Sequence, residues 1–315
     1  MKNVVVIGGG TGLSVMLRGL KRIENINLTA IVTVADDGGS AGRIRRQFHI
    51  PAMGDVRNVM CAMAEEETIF TSLMNFRFDG EEKDIGGHNL GNLILTALTQ
   101  TTGSFMEAIS TFSKFLNVRG NIVPCSSEVV TLYAMMEDGT IVRGESNIPS
   151  FNNRIDKVFY QEKVTPTAEA LQAIHEADVI VYGIGSLYTS ILSNVIVDGI
   201  AERLKSNPAK KIYFCNAMTQ PGETDDFSLE DHVRAIEQHV GAHAVDIVIT
   251  HNNVVSEELL CKYRDMGSEP VRIVEDSHTY QILKRDVLSF EDHLIRHDSN
   301  KIKAVLEELI NSEEG

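Results

Sequence analysis

Val4-Val5-Val6-Ile7-Gly8-Gly9-Gly10-Thr11-Gly12-Leu13-Ser14 decides how the rest of the chain is read. The continuous β-branched run suits a strand covered on both faces, and the glycines after it force a tight turn. Leu13 to Ile23, apolar at Val15, Met16, Leu20 and Ile23, predicts a helix, and Leu28 to Val34 predicts a second strand. Strand, glycine turn, helix and strand make a βαβ start. Three further strand candidates, Val179 to Tyr182, Lys211 to Phe214 and Asp246 to Ile249, follow in the second half. All five end in polar or glycine-rich tips: Gly8 to Gly12, Asp36-Asp37-Gly38-Gly39-Ser40, Gly183-Ile184-Gly185-Ser186, Asn216-Ala217-Met218-Thr219 and Thr250-His251-Asn252. Ligands of open parallel sheets bind beyond the carboxyl ends of the strands, so five such tips describe a site for a phosphorylated or nucleotide ligand.

The expected fold is α/β: a Rossmann-like, doubly wound, mainly parallel sheet with helices on both faces, in one domain over 1–315. The middle of the chain reads differently. Val129 to Met136 and Thr140 to Gly144 flank Asp138-Gly139, a strong hairpin signal, so a small antiparallel insertion is expected near 121–160. Between Ala35 and Glu66 the pattern predicts polar loop and short helix. Helices are expected from Asn89 to Leu98, Phe105 to Leu116, Tyr188 to Leu204, Ser228 to Val240 and Asn300 to Ile310, with 313–315 frayed. Another is expected from Pro166 to Ala177, started at Thr165 with proline at its first position.

Composition narrows the function. A formal net charge of -15 argues against general affinity for nucleic acid or an anionic membrane, so any phosphate needs a local device to hold it. No apolar run is long enough for a membrane span, and the start reads as a strand rather than a signal peptide. The 4 cysteines are widely spaced, which argues against structural zinc or a disulfide framework and for reduced thiols.

The first glycine turn can bring backbone close to a pyrophosphate at a helix N-terminus through Gly9, Gly10, Thr11 and Gly12; the alternative is a purely structural turn. As a dinucleotide fingerprint it is imperfect, because Leu13 stands where the third glycine belongs, and no lysine follows as in a P-loop. Asp36 and Asp37 sit where a dinucleotide protein places its ribose-binding acid, and adjacent carboxylates equally suit Mg2+ with ligand phosphates. A solvated acidic turn is the third reading. Asp55 is read as a helix cap and Arg57 as a phosphate partner, with Asn58 beside it. His88 is a candidate acid, base or ligand contact, and Asn89 and Asn92 share a helical face. Gly185 and Ser186 repeat the logic of the first turn, while Ser40, Asn216 and Thr219 lie on other strand tips.

Taken in order, these segments resemble the gluconeogenesis-factor family, bacterial morphogenesis proteins similar to the 2-phospho-L-lactate transferase of coenzyme F420 synthesis. The motifs that carry the likeness are Gly8 to Gly12, Val34 to Ser40, Pro51 to Asn58, Gly86 to Asn92 and Gly183 to Ser190. The resemblance implies a cytoplasmic CofD-like protein that binds a UDP-sugar such as UDP-N-acetylglucosamine, and it points to Tyr263 and Arg296 as further ligand contacts. Ser299, close to Arg296, offers a hydroxyl to a Ser/Thr kinase. The leading expectation is a UDP-sugar-binding regulator of cell shape and of growth on gluconeogenic carbon, acting as a homo-oligomer, a dimer. Two alternatives stand beside it: a Mg2+-dependent transferase of the phospholactyl type using Asp36, Asp37 and His88, and an NAD-binding protein.

Overall fold

A computed structural model describes residues 1–66, 68–80, 84–151 and 153–311; the expected fraying of 313–315 lies outside the described residues. Twelve strands occur among these residues: β1 Lys2–Gly8, β2 Ile26–Val32, β3 Asn121–Pro124, β4 Leu132–Met136, β5 Ile141–Arg143, β6 Ile155–Tyr160, β7 Val179–Tyr182, β8 Lys210–Phe214, β9 Ile247–His251, β10 Gln281–Arg285, β11 Leu288–Ser289 and β12 Arg296–His297. Seven of them form one parallel sheet in the order β10-β9-β8-β7-β1-β2-β3. The chain begins at the centre, winds outward through β2 to β3, and returns to the other side of β1 at β7. The strand order reverses between β1 and β7, where the crossover connections leave a crevice at the carboxyl edge. In β1 every residue from Val4 to Gly8 is buried, as a strand covered on both faces requires.

Helix α1, Gly10–Leu20, follows directly from the first turn and buries Leu13, Met16, Leu17 and Leu20 against the sheet. Its other neighbours are the helix Gly54–Met63 and the C-terminal helix Ser299–Asn311. Gly19 makes that second contact close, since a Cβ there would lie 2.2 Å from the carbonyl oxygen of Ser299.

The stretch expected as loop and short helix holds two helices, α2 at Gly39–Phe48 and α3 at Gly54–Met63. Helix α2 offers little apolar periodicity because it buries Ser40, Ala41, Gly42, Ile44 and Arg45, a face that is mostly small or polar. His49 ends it in the left-handed conformation and Pro51 follows, a common helix stop. Then come α4 at Ile69–Asn75, α5 at Leu90–Thr102, α6 at Phe105–Phe115 and α7 at Ala168–Glu176. The cap of α7 is Thr167, whose hydroxyl accepts from the amide of Ala170, not Thr165; Pro166 lies before the helix in a bridge to Ser126. The continuous helix expected over 188–204 is instead a π-turn at Leu187–Leu192, a short piece at Ser193–Val195 and a separate helix at Ile200–Ser206. Gly199, at φ 79°, makes the break.

The insertion is a three-stranded antiparallel sheet in the order β5-β4-β6, with Asp138-Gly139 turning between β4 and β5. The segment 121–124, placed with it from sequence, belongs to the parallel sheet as edge strand β3. The 3-10 turn Glu145–Ser150 carries the insertion back to the body, where Gly222, at φ 81°, meets Pro149 so closely that a Cβ would lie 1.8 Å from its carbonyl oxygen. Cys61, Cys125 and Cys215 are buried free thiols and Cys261 is exposed. No helix among the described residues is long and apolar enough to cross a membrane.

Gly19→Ala drives a methyl into the backbone at Ser299, so urea unfolding is expected to show a loss of about 1–3 kcal/mol. Gly103→Ala, at a left-handed position with open space, serves as the control; its cost comes from backbone conformation alone, about 1 kcal/mol.

Candidate functional site

The two glycine turns meet at the carboxyl edge. A Cβ on Gly12 would lie 2.5 Å from the carbonyl oxygen of Ile184, so this approach admits only glycine. A Cβ on Gly9 would lie 2.6 Å from Asp55 Oδ2 and 2.6 Å from Thr33 Cγ2, and Gly10 takes φ 66°. Behind the turn, Asn194 Nδ2 donates to the Gly8 carbonyl at 3.1 Å, and Ser193 Oγ donates to Thr33 Oγ1 at 2.9 Å. Sequence reasoning missed these two fully buried residues, because only the π-turn brings them back against β1. Gly9 caps α1 without a side-chain hydrogen bond, and no acid occupies the first turn. The Gly10 amide is taken by the Asp55 carboxyl, which leaves the Thr11 and Gly12 amides and the partial positive charge of this helix start for an anion.

A cavity of about 420 Å³ opens over this point. Gly9, Gly10, Thr11 and Gly12 line one side, Gly185 and Ser186 the next, and Asn216 and Thr219 a third; Tyr263, Ile295 and His297 close it. Asn216 Nδ2 donates to the Gly185 carbonyl at 3.0 Å, while its buried Oδ1 has no partner. Thr219 is held by Glu269, whose amide donates to Thr219 Oγ1 at 2.9 Å. The phenol of Tyr263 accepts from the Ile295 amide at 2.8 Å, which fixes the ring on the wall. Burial, with His251 nearby, pushes His297 down to about 4, so it is neutral there at physiological pH. Arg296 is exposed on β12 between the two lining residues Ile295 and His297, and strand alternation turns it to the opposite face.

Beneath the first turn lies a group of carboxyls. Asp36 accepts from the Gly38 amide at 2.9 Å, yet desolvation, reinforced by the Asp37 charge, raises its pKa. Asp55, in the first turn of α3, accepts from the Gly10 amide; desolvation and then the Asp36 charge push it up to about 7. Its role is to tie α3 to the glycine turn, while the N-cap of α3 is Met53. Desolvation and the charges of Asp36 and Glu223 raise Glu145 to about 8. Glu223, 2 % exposed, is raised by burial and accepts from the Tyr188 amide at 3.2 Å and the Thr189 hydroxyl at 2.8 Å. Asp37 turns toward the insertion, with Oδ1 accepting from the Ser146 amide at 2.9 Å. The charge of Asp36 thus acts on Asp55 beneath the glycine turn, and the charge of Asp37 acts on Asp36.

The other residues singled out from sequence form an internal knot. Ser40 Oγ bonds His88 Nδ1 at 3.1 Å and accepts from the Asn89 amide at 3.1 Å and Asn92 Nδ2 at 3.3 Å. Asn89 also caps α5, accepting from the Asn92 amide. This joins the starts of α2 and α5. Burial and the charges of Arg43 and Arg77 lower His88, which keeps it neutral. Arg57 lies under Gly91, with Nη1 donating to the Met74 carbonyl at 3.4 Å and Nη2 to Asn58 Oδ1 at 2.5 Å. None of these six residues lines the cavity above the glycine turn.

A folded-state pKa near 7 for Asp55, against the usual carboxylate range when unfolded, means that the native state holds the proton more tightly. Its contribution to stability is full below about pH 4 and is lost as pH rises toward about 7. Asp55→Asn keeps an acceptor for the Gly10 amide and removes the charge. Thermal melts at about pH 8 are expected to find the variant more stable by up to about 4 kcal/mol, with the difference closing by about pH 4.

Comparison with known proteins agrees with this architecture. The chain is 48% identical over 313 residues to a gluconeogenesis factor of Halalkalibacterium halodurans, covering 97% of this chain and 96% of that one. It is 44% identical over 311 residues to the gluconeogenesis factor of Bacillus subtilis, covering 98% of each. A crystal structure of a UPF0052 family protein from Bacillus halodurans superposes with a TM-score of 0.92 at 46% identity, covering 97% of this chain and 99% of that one. A family profile described as 2-phospho-L-lactate transferase CofD matches residues 4–289, and the chain belongs to the CofD family.

Proposed function

We propose that the chain is a nucleotide-sugar-binding regulator, taking a UDP-sugar such as UDP-N-acetylglucosamine, that supports cell shape and growth on gluconeogenic carbon. The observation that carries this reading is the contact of Gly12 with Ile184. It sets two backbone turns and a helix start with free second and third amides around one cavity, a suitable cradle for a diphosphate. Asn216 Oδ1 is an unused acceptor for a sugar or base donor, and the fixed ring of Tyr263 offers a flat face. Ser299 begins the C-terminal helix two residues beyond His297, so a phosphate added there would sit at a helix N-terminus beside the cavity wall. The relatives named gluconeogenesis factor support the biological part of the proposal.

A second reading, a Mg2+-dependent transferase using a nucleotide-activated donor, is favoured by Asp36 and Asp55. Among the described residues no group of three acidic, histidine or cysteine side chains could hold a metal. Two carboxylates nonetheless suit Mg2+, which commonly takes one or two of them together with substrate phosphates and water. Both acids are destabilised as anions, by desolvation and by each other in the case of Asp55, so a cation would relieve them. Asp36 and Asp55 would hold the ion, and its chemistry would be to neutralise charge on the transferring phosphate.

Thermal melts with UDP-N-acetylglucosamine, GDP and NAD, each with and without Mg2+, separate these readings. A ligand at about a hundred times its Kd adds about 2.7 kcal/mol. Stabilisation by the UDP-sugar without Mg2+, weakened about tenfold in affinity by Tyr263→Ala, is the expected outcome. A response to GDP that needs Mg2+ and is lost in Asp55→Asn would favour the transferase, and a response to NAD alone would overturn both.

A further inference from the structure

Three arginines from two parts of the chain converge away from the glycine cleft. Arg45 and Arg46 lie in the last turn of α2, and Arg143 ends β5 in the insertion. They line a second cavity of about 410 Å³, together with His49, Thr131 and Asp37. Arg45 is only 7 % exposed; its Nη2 donates to Thr131 Oγ1 at 2.8 Å, and its Nη1 has no partner. Arg46 donates to the backbone carbonyl of Asp37 at 3.3 Å. Among the described residues none of the three makes an ion pair, although the charges of Asp37 and Asp36 act on Arg45 at longer range. The single carboxylate on the lining, Asp37, has one oxygen occupied by the Ser146 amide.

Three cations facing one partly engaged acid are conspicuous in a chain of net charge -15. Basic residues at the end of α2 complement the helix dipole, but that does not explain Arg143, which comes from another element. Guanidinium groups present planar donors matched to carboxylate and phosphate oxygens, and a buried one without a counter-ion gains most when an anion supplies those acceptors. The cavity is of a size that holds a small metabolite.

We propose that this cavity is a second binding site, for a small phosphate- or carboxylate-bearing ligand, on the far side of Asp36 and Asp37 from the glycine turn. Its walls come from both α2 and the insertion, so such a ligand ties the insertion to the body. The proposal does not depend on what the glycine cleft binds.

Calorimetry with orthophosphate and, separately, with citrate tests it, comparing the native chain with Arg46→Gln/Arg143→Gln. Both substituted side chains are exposed, so the variant is expected to melt as the native protein does. Saturable binding of at least one anion, weakened by added salt and by about tenfold or more in the double variant, is the expected result. Absence of saturable heat with both anions overturns the proposal. Equal affinity in the double variant also overturns it, because the anion then sits elsewhere, such as on the glycine turn. UDP-N-acetylglucosamine binding by the same variant is expected to be unchanged, so failure of the cleft reading registers separately.

Discussion

The backbone contact between Gly12 and Ile184 is the constraint around which the carboxyl edge is organised. Parallel strands β1 and β7 pair through Val4 to Ile7, and their two following turns must then leave the sheet side by side. With no side chain at Gly12 they close to backbone contact, and α1 starts at the gap. Every other part of the site answers to that approach. Asn194 and Ser193 brace the turn from behind, Asp55 holds the Gly10 amide from below, and Asn216 bonds the Gly185 carbonyl from the side.

The electrostatics follow from the same packing. A glycine turn that passes close to α3 buries Asp55, and this desolvation, with the Asp36 charge, pushes its carboxyl up to about 7 while Asp36 is also raised. Beyond Asp37 the sign of the lining changes to arginine. A strongly acidic protein thus places a boundary between acidic and basic linings within a few residues of one strand tip. Neither net charge nor the spacing of acids along the chain describes that boundary.

Much of the fold was legible because the inner strands are buried on both faces and read as short β-branched runs. β1, β2, β7 and β9 have this property and β8 is a buried apolar run; three of the five tips named from sequence supply the cleft walls Gly9 to Gly12, Gly185, Ser186, Asn216 and Thr219, while 36–40 and 250–252 do not line it. The edge strands were not legible. β3 has 4 residues and β10 is only half-buried, so neither gives a clear run. Helix α2 was hidden by its polar buried face. Pairing of Asp36 with Asp55 depends on the packing of α3 beneath the first turn, and the meeting of Arg143 with Arg45 depends on how the insertion folds back. Such long-range contacts leave no local period. Adjacency in sequence suggested Asp36 with Asp37; their charges do act on each other, while the Asp37 carboxylate also bonds the insertion, a contact that no local pattern announces.

The seating of Gly222 under Pro149 has a mechanical consequence. With no space between the two backbones, the 3-10 turn of the insertion bears directly on the segment 220–223. That segment carries Gln220 and Pro221 into the wall of the glycine cleft and Glu223 under Tyr188 and Thr189. The insertion is therefore packed against the cleft rather than standing as an independent arm. The three-stranded sheet therefore shares one backbone contact with a wall of the glycine cleft and one cavity with α2, so neither lining is built without the insertion.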